Sequence, residues 1–259
     1  MDANDGASSG PLRFGLIVIG DELLSGGRLD RHLPHFKGRL RERGHELLWH
    51  WLLPDDEQVL TDHLRFSMVR PDPVFICGGI GATPDDRTRA SAAAAAGVAL
   101  ARHPEAAALI EARFGADAYP HRILMADLPE GCALIPNIVN RIPGFSLGEH
   151  HFLPGFPEMA WPMADWVLAQ RYPAVAEPVR ELAIRIDGVP ESRLVPLMQR
   201  LTLAFPAHKL FSLPRLGEEP HVLLGFRGRA GLDAAFAQLC DEVAREGLDY
   251  RLVRMRPDE

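Results

Sequence analysis

VFICGGIGATPDDRTR, residues 74–89, is the stretch on which the fold turns. An apolar run ends abruptly in Gly78-Gly79-Ile80-Gly81, and four residues after the third glycine stand two adjacent acids, Asp85 and Asp86. A short apolar run bounded by glycines reads as a buried strand. A glycine turn between a strand and a helix leaves backbone N–H groups pointing outward, where they suit an anion. Two carboxylates beside such a turn therefore need an explanation. A P-loop would require a G-x-x-x-x-G-K-[ST] lysine, which is absent. A dinucleotide fingerprint would follow the first strand with different spacing, so it fits poorly. A plain tight turn in which Asp85 or Asp86 caps the next helix accounts for the composition without any ligand.

Outward from this stretch the pattern is repetitive. Residues 13–19 (RFGLIVI) read as a strand, followed by the loop GDELLSGGRLD and a helix that Asp30 can cap and Gly44 stops. ELLWHWLL (46–53) is a second strand, and PDDEQ opens a helix with acids in its first turn, which suits the helix dipole. PVFIC (73–77) is the third strand; TRASAAAAAG is the next helix, and a further one covers about 104–114. This alternation predicts a doubly wound α/β domain of three layers with a mostly parallel sheet and right-handed crossovers. After about residue 120, short apolar pieces (CALIP, HHFLP) alternate with Pro-Gly turns, and a helix from Glu158 to Arg171 is expected to be interrupted at Pro162. YPAVAEP (172–178) reads as a linker to a smaller α+β domain, residues 179–259, in the order β-α-β-β-α. The larger domain is placed at 12–172 and residues 1–11 are read as disordered.

Composition narrows the function. The chain has 259 residues and a formal net charge of -7, so its long-range field repels nucleic acid, and no nucleic-acid partner is expected. Cys77, Cys132 and Cys240 are odd in number and far apart, which fits reduced thiols and a cytoplasmic location. No apolar run approaches the ~20 residues that span a bilayer, and residues 1–11 lack the basic and apolar regions of a signal peptide, so no membrane partner is expected.

In an open α/β sheet the ligand site lies at the carboxyl ends of the strands. The first loop, with Gly20, Asp21, Glu22, Ser25, Gly26 and Gly27, shares that edge with the glycine turn. Acids and phosphate-binding amides are compatible if a divalent cation such as Mg²⁺ lies between them, held by one or two carboxylates and the ligand's phosphates. Asp21, Asp85 and Asp86 are the candidate metal ligands, Asp85 and Asp86 the candidate catalytic pair, and Arg28, Arg87 and Arg89 are available to offset charge.

GGIGATPDD resembles the GGxGPTxDD signature of the MoaB/Mog (molybdopterin-binding) domain family. GDELLSG resembles the GxELLxG loop of its competence/damage-inducible protein A (CinA) branch; ADLPEGCALIPNIVNRIPGF and FLPGFPEMAWPM resemble two later motifs of that branch, in order. The resemblance spans about residues 12–170. It implies a pocket for a phosphorylated pterin or an ADP-containing nucleotide. In the wider family this pocket serves molybdopterin adenylylation or molybdenum insertion. In CinA-type domains it is associated with metal-dependent cleavage of a nucleotide pyrophosphate such as ADP-ribose. The matching positions are Gly78, Gly79, Gly81, Thr83, Asp85 and Asp86, with Glu22 and Ser25 in the first loop and Asn137, Gly144 and Gly155 in the later turns; Gly20 and Asp30 flank the first loop. Ala82 stands where the signature has proline, and Asp30-Arg31-His32 replaces a D/N-x-N. GVPESRLVPLM resembles the family's middle domain, sometimes likened to a KH module, but the chain is acidic and RNA binding is not expected. Full-length members continue into a deamidase, for which these residues leave no room, and a homodimer or homotrimer is expected. The alternative to catalysis is a module that binds molybdopterin or a nucleotide without turnover; a pure interaction protein is the third reading.

Several other residues have plainer readings. His150 and His151, adjacent in a strand, point to opposite faces and cannot chelate one ion; one is expected buried and one exposed. His32 and His35, three apart on a helix, are expected on a solvated face. Trp49 and Trp51 share a strand face as core or interface, Met159, Trp161 and Met163 read as packing or a dimer contact, and RGR (227–229) as a solvated turn.

Overall fold

Phe14, Leu16 and Val18 point to one side of the first strand, β1 (Arg13–Ile19), and Ile17 and Ile19 to the other; all five are buried. A strand covered on both faces belongs inside a parallel sheet flanked by helices, and the computed structural model, which describes residues 10–175 and 179–253, has this arrangement. After a one-turn helix α1 (Asp21–Leu24) come α2 (His32–Glu42), β2 (Glu46–Leu53), α3 (Glu57–Met68), β3 (Val74–Cys77), α4 (Thr88–Ala96), β4 (Leu100–Arg102) and α5 (Pro104–Phe114). Then follow two short 3₁₀ turns, β5 (Asp127–Pro129), β6 (Ala133–Ile135), β7 (Gly144–Leu147), β8 (His150–Leu153) and α6 (Pro157–Arg171). The main sheet runs β2-β1-β3-β8-β7-β6. Its β2, β1, β3 and β8 are parallel, and β7 and β6 each run antiparallel to their predecessor in that order.

Two apolar clusters make the layers. Phe36 and Leu40 of α2 and Ala160, Met163, Ala164, Val167 and Leu168 of α6 cover one face. Leu60 and Leu64 of α3, Ala92 of α4 and Ala106 and Ile110 of α5 cover the other. Burying a Leu, Ile or Phe side chain stabilises by about 1.5–3 kcal/mol, so these clusters are the main driving force.

Four details depart from the sequence reading. The first loop contains α1. β4 and β5 pair as a separate two-stranded antiparallel sheet; three-residue strands are too short to show a period. α6 runs unbroken through Pro162; near a helix start, proline removes only one backbone hydrogen bond. Neither Asp85 nor Asp86 caps α4, whose N-cap is Arg87 with no side-chain cap bond.

The chain divides after Val175 into two compact units. The second contains β9 (Arg180–Asp187), α7 (Glu191–Ala204), β10 (Lys209–Arg215), β11 (His221–Gly228), α8 (Leu232–Arg245) and β12 (Arg251–Val253). Its sheet, β10-β11-β9-β12, is antiparallel throughout, a split β-α-β arrangement. Strand β12 extends the order read from the sequence by one element, and Arg227 and Gly228 end a strand instead of forming a turn. Ile184, Ile186, Val222, Leu224 and Phe226 pack on Leu194, Leu197, Leu201 and Leu239. Residues 1–9, most of the expected disordered N-terminus, lie outside the described residues, as do 176–178 of the expected linker and 254–259. Among the described residues no helix is long and apolar enough to cross a membrane.

Candidate ligand-binding site

From β1 the chain crosses to β2 on one side, and from β3 it leads toward β8 on the other. The strand order therefore reverses between β1 and β3, and in open α/β sheets the crevice at such a switch point is where ligands bind. Residues 20–31 and 78–88 meet there, and the turn 154–156 after β8 adds a third wall. Gly78 makes the approach possible. Its φ is 118°, and a Cβ there would lie 2.4 Å from the carbonyl oxygen of Ile19 at the end of β1.

Asp86 closes the glycine turn. Its carboxylate accepts the N–H groups of Gly81 and Thr83, both at 2.8 Å, and the Thr83 hydroxyl at 2.5 Å. Asp85, next to it, is exposed, and Thr83 holds its carboxyl below the usual carboxylate range. Behind the turn, the Arg89 guanidinium donates to the carbonyls of Gly81 (2.6 Å), Asp127 (3.0 Å) and Leu124. Burial lowers its pKa. The Thr88 hydroxyl donates to the Gly78 carbonyl at 3.0 Å. With these bonds made, the N–H groups of Gly79, Ile80 and Ala82 have no protein acceptor among the described residues.

Those amides border a cleft of about 370 Å³ lined by Gly79, Gly81, Thr83, Asp86, Asn137 and Gly155, together with Met125 and Met159. Asn137 is 5% exposed. Its side-chain oxygen accepts the N–H of Val139 at 3.0 Å, while its Nδ2 is buried without a partner. The wall thus presents amide donors and one unpaired side-chain donor, a set that fits phosphate oxygens.

A second cleft, also about 370 Å³, shares Gly155 and Phe156 with the first and is lined by Glu22, Arg28, Asp30, Arg31, His32, Cys77 and Glu158. Asp30 starts α2: its Oδ1 accepts the N–H groups of His32 (2.7 Å) and Leu33 (3.3 Å). His50 Nε2 stands 3.4 Å from the Asp30 Oδ2. Hydrogen bonds from His50, His32 and Leu33 outweigh burial and lower the Asp30 pKa. Gly20 lies against the Glu22 carboxylate, and Ser25 is exposed at the end of α1.

Asp21 turns to a residue the sequence reading passed over. Its N–H donates to Asp55 Oδ2 at 3.1 Å, and the Asp55 N–H donates to Asp21 Oδ1 at 3.3 Å. Burial, with the charges of Asp21, Glu22 and Asp85, raises the Asp55 pKa. Asp55 follows β2 at the same sheet edge, in PDDEQ; that placement was the available signal, but the acids there read as helix-opening residues. Asp86 therefore joins Gly79, Gly81, Thr83, Asn137 and Gly155 in one cleft, Glu22 and Asp30 join Gly155 in the other, and Asp21 sits with Asp55. Among the described residues no three of His, Cys, Asp and Glu form a metal-holding group. A divalent cation fits this edge in one way: on one or two carboxylates, completed by ligand phosphates and water.

Other expectations change. Arg28 and Arg87 pair with Glu22 (3.8 Å) and Glu57 (3.4 Å), and Arg89 is committed to carbonyls, so none is a free counter-charge. Gly144 is packed beneath Phe152 and Met163 and lines neither cleft. His150 and His151 do face opposite sides, but both are buried because β8 is covered by helices on both faces. His150 Nε2 meets Ser67 Oγ at 2.8 Å; His151 bridges Ser146 Oγ (2.8 Å) and Tyr172 Oη (2.7 Å). His32 is buried and His35 stacks on Trp161 at 4.0 Å, so the expected solvated face is a packed one. Trp49 and Trp51 lie 4.3 Å apart on one face, and Trp49 covers Gly15.

Residues 15–175 match the family model described as a probable molybdopterin binding domain. A CinA-like protein of Citrifermentans bemidjiense is 32% identical over 249 residues, covering 93% of this chain and 59% of that protein. One from Geobacter sp. strain M21 is 31% identical, covering 90% and 58%. The crystal structure of CinA from Thermoplasma acidophilum aligns with a TM-score of 0.57 at 27% identity, covering 62% of this chain and 98% of that one. The chain thus spans somewhat under two thirds of the length of these two CinA-like relatives.

Proposed function

The chain belongs to the molybdopterin-binding (MoaB/Mog) domain family, among its CinA-like members, and from that premise we propose that it binds a phosphate-bearing small molecule, a pterin or an ADP-containing nucleotide, together with a divalent cation such as Mg²⁺. One observation carries the proposal: the unclaimed N–H groups of Gly79, Ile80 and Ala82 share a cleft with the unpaired Asn137 Nδ2. As an enzyme the protein hydrolyses a nucleotide pyrophosphate such as ADP-ribose.

In this reading the amides hold non-bridging phosphate oxygens and stabilise charge that develops on them. Asp85, exposed and ionised, orients the attacking water and takes its proton. Water adds to one phosphorus, the bridging P–O bond breaks, and AMP and ribose 5-phosphate leave as two monoesters. A divalent cation, when bound, supplies neutralisation of the diphosphate and a more acidic water. Asp86 serves the turn itself, since its carboxylate is taken up by Gly81 and Thr83.

The test is purified protein with ADP-ribose and a metal screen, reading AMP by chromatography. Product that disappears in Asp85→Asn supports hydrolysis. Calorimetric binding without product supports the alternative of a non-catalytic molybdopterin or nucleotide module, which the commitment of Asp86 to the turn favours. No binding and no product would sink both. The same reading takes the protein as a cytoplasmic homodimer or homotrimer, a state that light scattering measures; its three free cysteines fit a reducing compartment.

A further inference from the structure

The two clefts that meet at Gly155 offer opposite hydrogen-bonding chemistry. On the glycine side the unclaimed groups are donors. On the other side they are acceptors. His32 is 4% exposed, and its Nε2 lies 3.0 Å from the Gly155 carbonyl oxygen. A carbonyl only accepts, so Nε2 carries the proton, and in a neutral ring Nδ1 is then a bare lone pair. Burial favours that neutral ring. Nδ1 is buried and has no partner. The cleft's charges point the same way. Arg28 pairs with Glu22 at 3.8 Å and Arg31 with Glu158 at 3.4 Å, which leaves Asp30 as an uncompensated acid apart from His50. A phosphate entering here would face three carboxylates against two guanidiniums, each already paired with one of them.

We propose that the cleft beside His32 is a second subsite for a hydrogen-bond-donating part of the ligand, a hydroxyl or amino group, with His32 Nδ1 as its acceptor. The ligand then lies with its phosphates over Gly79–Ala82 and its donor-bearing end toward His32, crossing Gly155. This rests on the phosphate-binding reading above and adds direction to it. His32 becomes a specificity-determining residue: it selects ligands that carry a donor at a fixed distance from the phosphate, and it rejects bare phosphates only by adding nothing to them.

The experiment compares wild type and His32→Gln by calorimetry, with ADP-ribose and with inorganic pyrophosphate, each with Mg²⁺. Glutamine keeps an N–H for the Gly155 carbonyl and removes the ring acceptor. The expected result is about a tenfold weaker ADP-ribose affinity, the scale of one lost hydrogen bond, with pyrophosphate unchanged. His32→Asn places an oxygen near the former Nδ1 and should retain most of the preference for ADP-ribose; it also decides the matter should the glutamine variant fail to fold. Equal affinity of wild type and His32→Gln for ADP-ribose overturns the subsite while leaving the phosphate reading intact. An equal loss for both ligands makes His32 a purely structural residue and overturns it too. Wild type that binds pyrophosphate but not ADP-ribose overturns the subsite alone, and wild type that binds neither removes the phosphate reading and the subsite with it.

Discussion

The Asp86 carboxylate holds the N–H of Gly81 at 2.8 Å, and so an acid is the clasp of the glycine turn. The apparent conflict between glycine amides and adjacent carboxylates resolves by division of labour. Asp86 spends its negative charge inside the loop and, with the Arg89 guanidinium behind Gly81, fixes the turn so that Gly79, Ile80 and Ala82 face outward. Asp85 makes no such bond to the turn's backbone and stays exposed.

Asp86→Asn should destabilise and Asp85→Asn should not. An asparagine can accept one of the two N–H groups but turns its own N–H₂ toward the other. Losing a hydrogen bond to a charged acceptor costs about 1.5–3 kcal/mol. Asp85→Asn, at an exposed position, should lie within about 0.5 kcal/mol of wild type. Urea denaturation read by circular dichroism separates the two; equal midpoints would remove Asp86 from the turn.

Gly78→Ala should be among the most damaging single methyl additions in this domain. Its φ of 118° is strained for any residue with a Cβ, and the new methyl would meet the Ile19 carbonyl at 2.4 Å. A cost of about 3 kcal/mol follows from strain plus overpacking. Gly26→Ala, also at positive φ but with open space around it, bears the strain alone and should cost less. Melting temperatures of the pair test this, and a smaller drop for Gly78→Ala would refute the close approach of β1 and β3.

Acid should unfold the larger unit earlier than its carboxylates alone would dictate. Burial lowers His150 to about 4 and His151 to about 3 from an ordinary 6.5. Both are neutral when folded, while the unfolded chain protonates them near 6.5, so the unfolded state binds more protons as pH falls. The stability they carry is complete above about 6.5 and is lost progressively down to their folded values. Each unit of difference is worth about 1.4 kcal/mol, so the pair removes several kcal/mol by pH 4. Guanidinium midpoints between pH 7 and pH 4 measure this. His150→Gln should flatten the dependence, and an unchanged slope would contradict it.

Tyr172→Phe should loosen the end of α6. The Tyr172 hydroxyl joins His151 Nε2, at 2.7 Å, to the Glu149 carboxylate, which Arg171 also holds at 2.6 Å. Without the hydroxyl, buried His151 keeps only Ser146. A buried group left unsatisfied costs about 1–3 kcal/mol. Thermal denaturation checks it, and His151→Phe combined with Tyr172→Phe should cost less than the sum of the two changes because they share one interaction.

The sequence carried the parallel core and the site's location because both are written in short-range signals. RFGLIVI and PVFIC are apolar on both faces, and glycines punctuate their ends. The three-residue strands β4, β5 and β12 escaped because no period shows in three residues. Burial of His32 and of the second of the two strand histidines, His150 and His151, also escaped, as did the packing of half-buried His35 on Trp161, since each depends on which helices cover which face. The pairing of Asp86 with Gly81 is five residues long in sequence, yet the capping reading fits the same letters; only the backbone path of the turn separates them. The unpaired Asn137 Nδ2 and His32 Nδ1 could not be read at all, because an absent partner is a property of the folded surroundings.

Asp55 provides the last test, since it can bring a second carboxylate to any cation that accompanies the phosphates. It and Asp21 exchange backbone-to-carboxylate hydrogen bonds, which holds the two acids side by side at the carboxyl ends of β1 and β2. Burial and the neighbouring charges of Asp21, Glu22 and Asp85 raise its pKa, the electrostatic condition that a divalent cation relieves. Asp55→Asn keeps an oxygen for the Asp21 N–H, so the loops should stay joined while one charge is removed. The expected outcome is a Mg²⁺ requirement for ADP-ribose binding shifted to roughly tenfold higher concentration, about 1.4 kcal/mol of lost cation affinity, with metal-free binding unchanged. Cation affinity should also rise with pH across the carboxylate range, because the proton on Asp55 competes with the metal. Isothermal titration of Mg²⁺ at fixed ligand measures both effects, and an identical titration for Asp55→Asn would place the cation elsewhere along this edge.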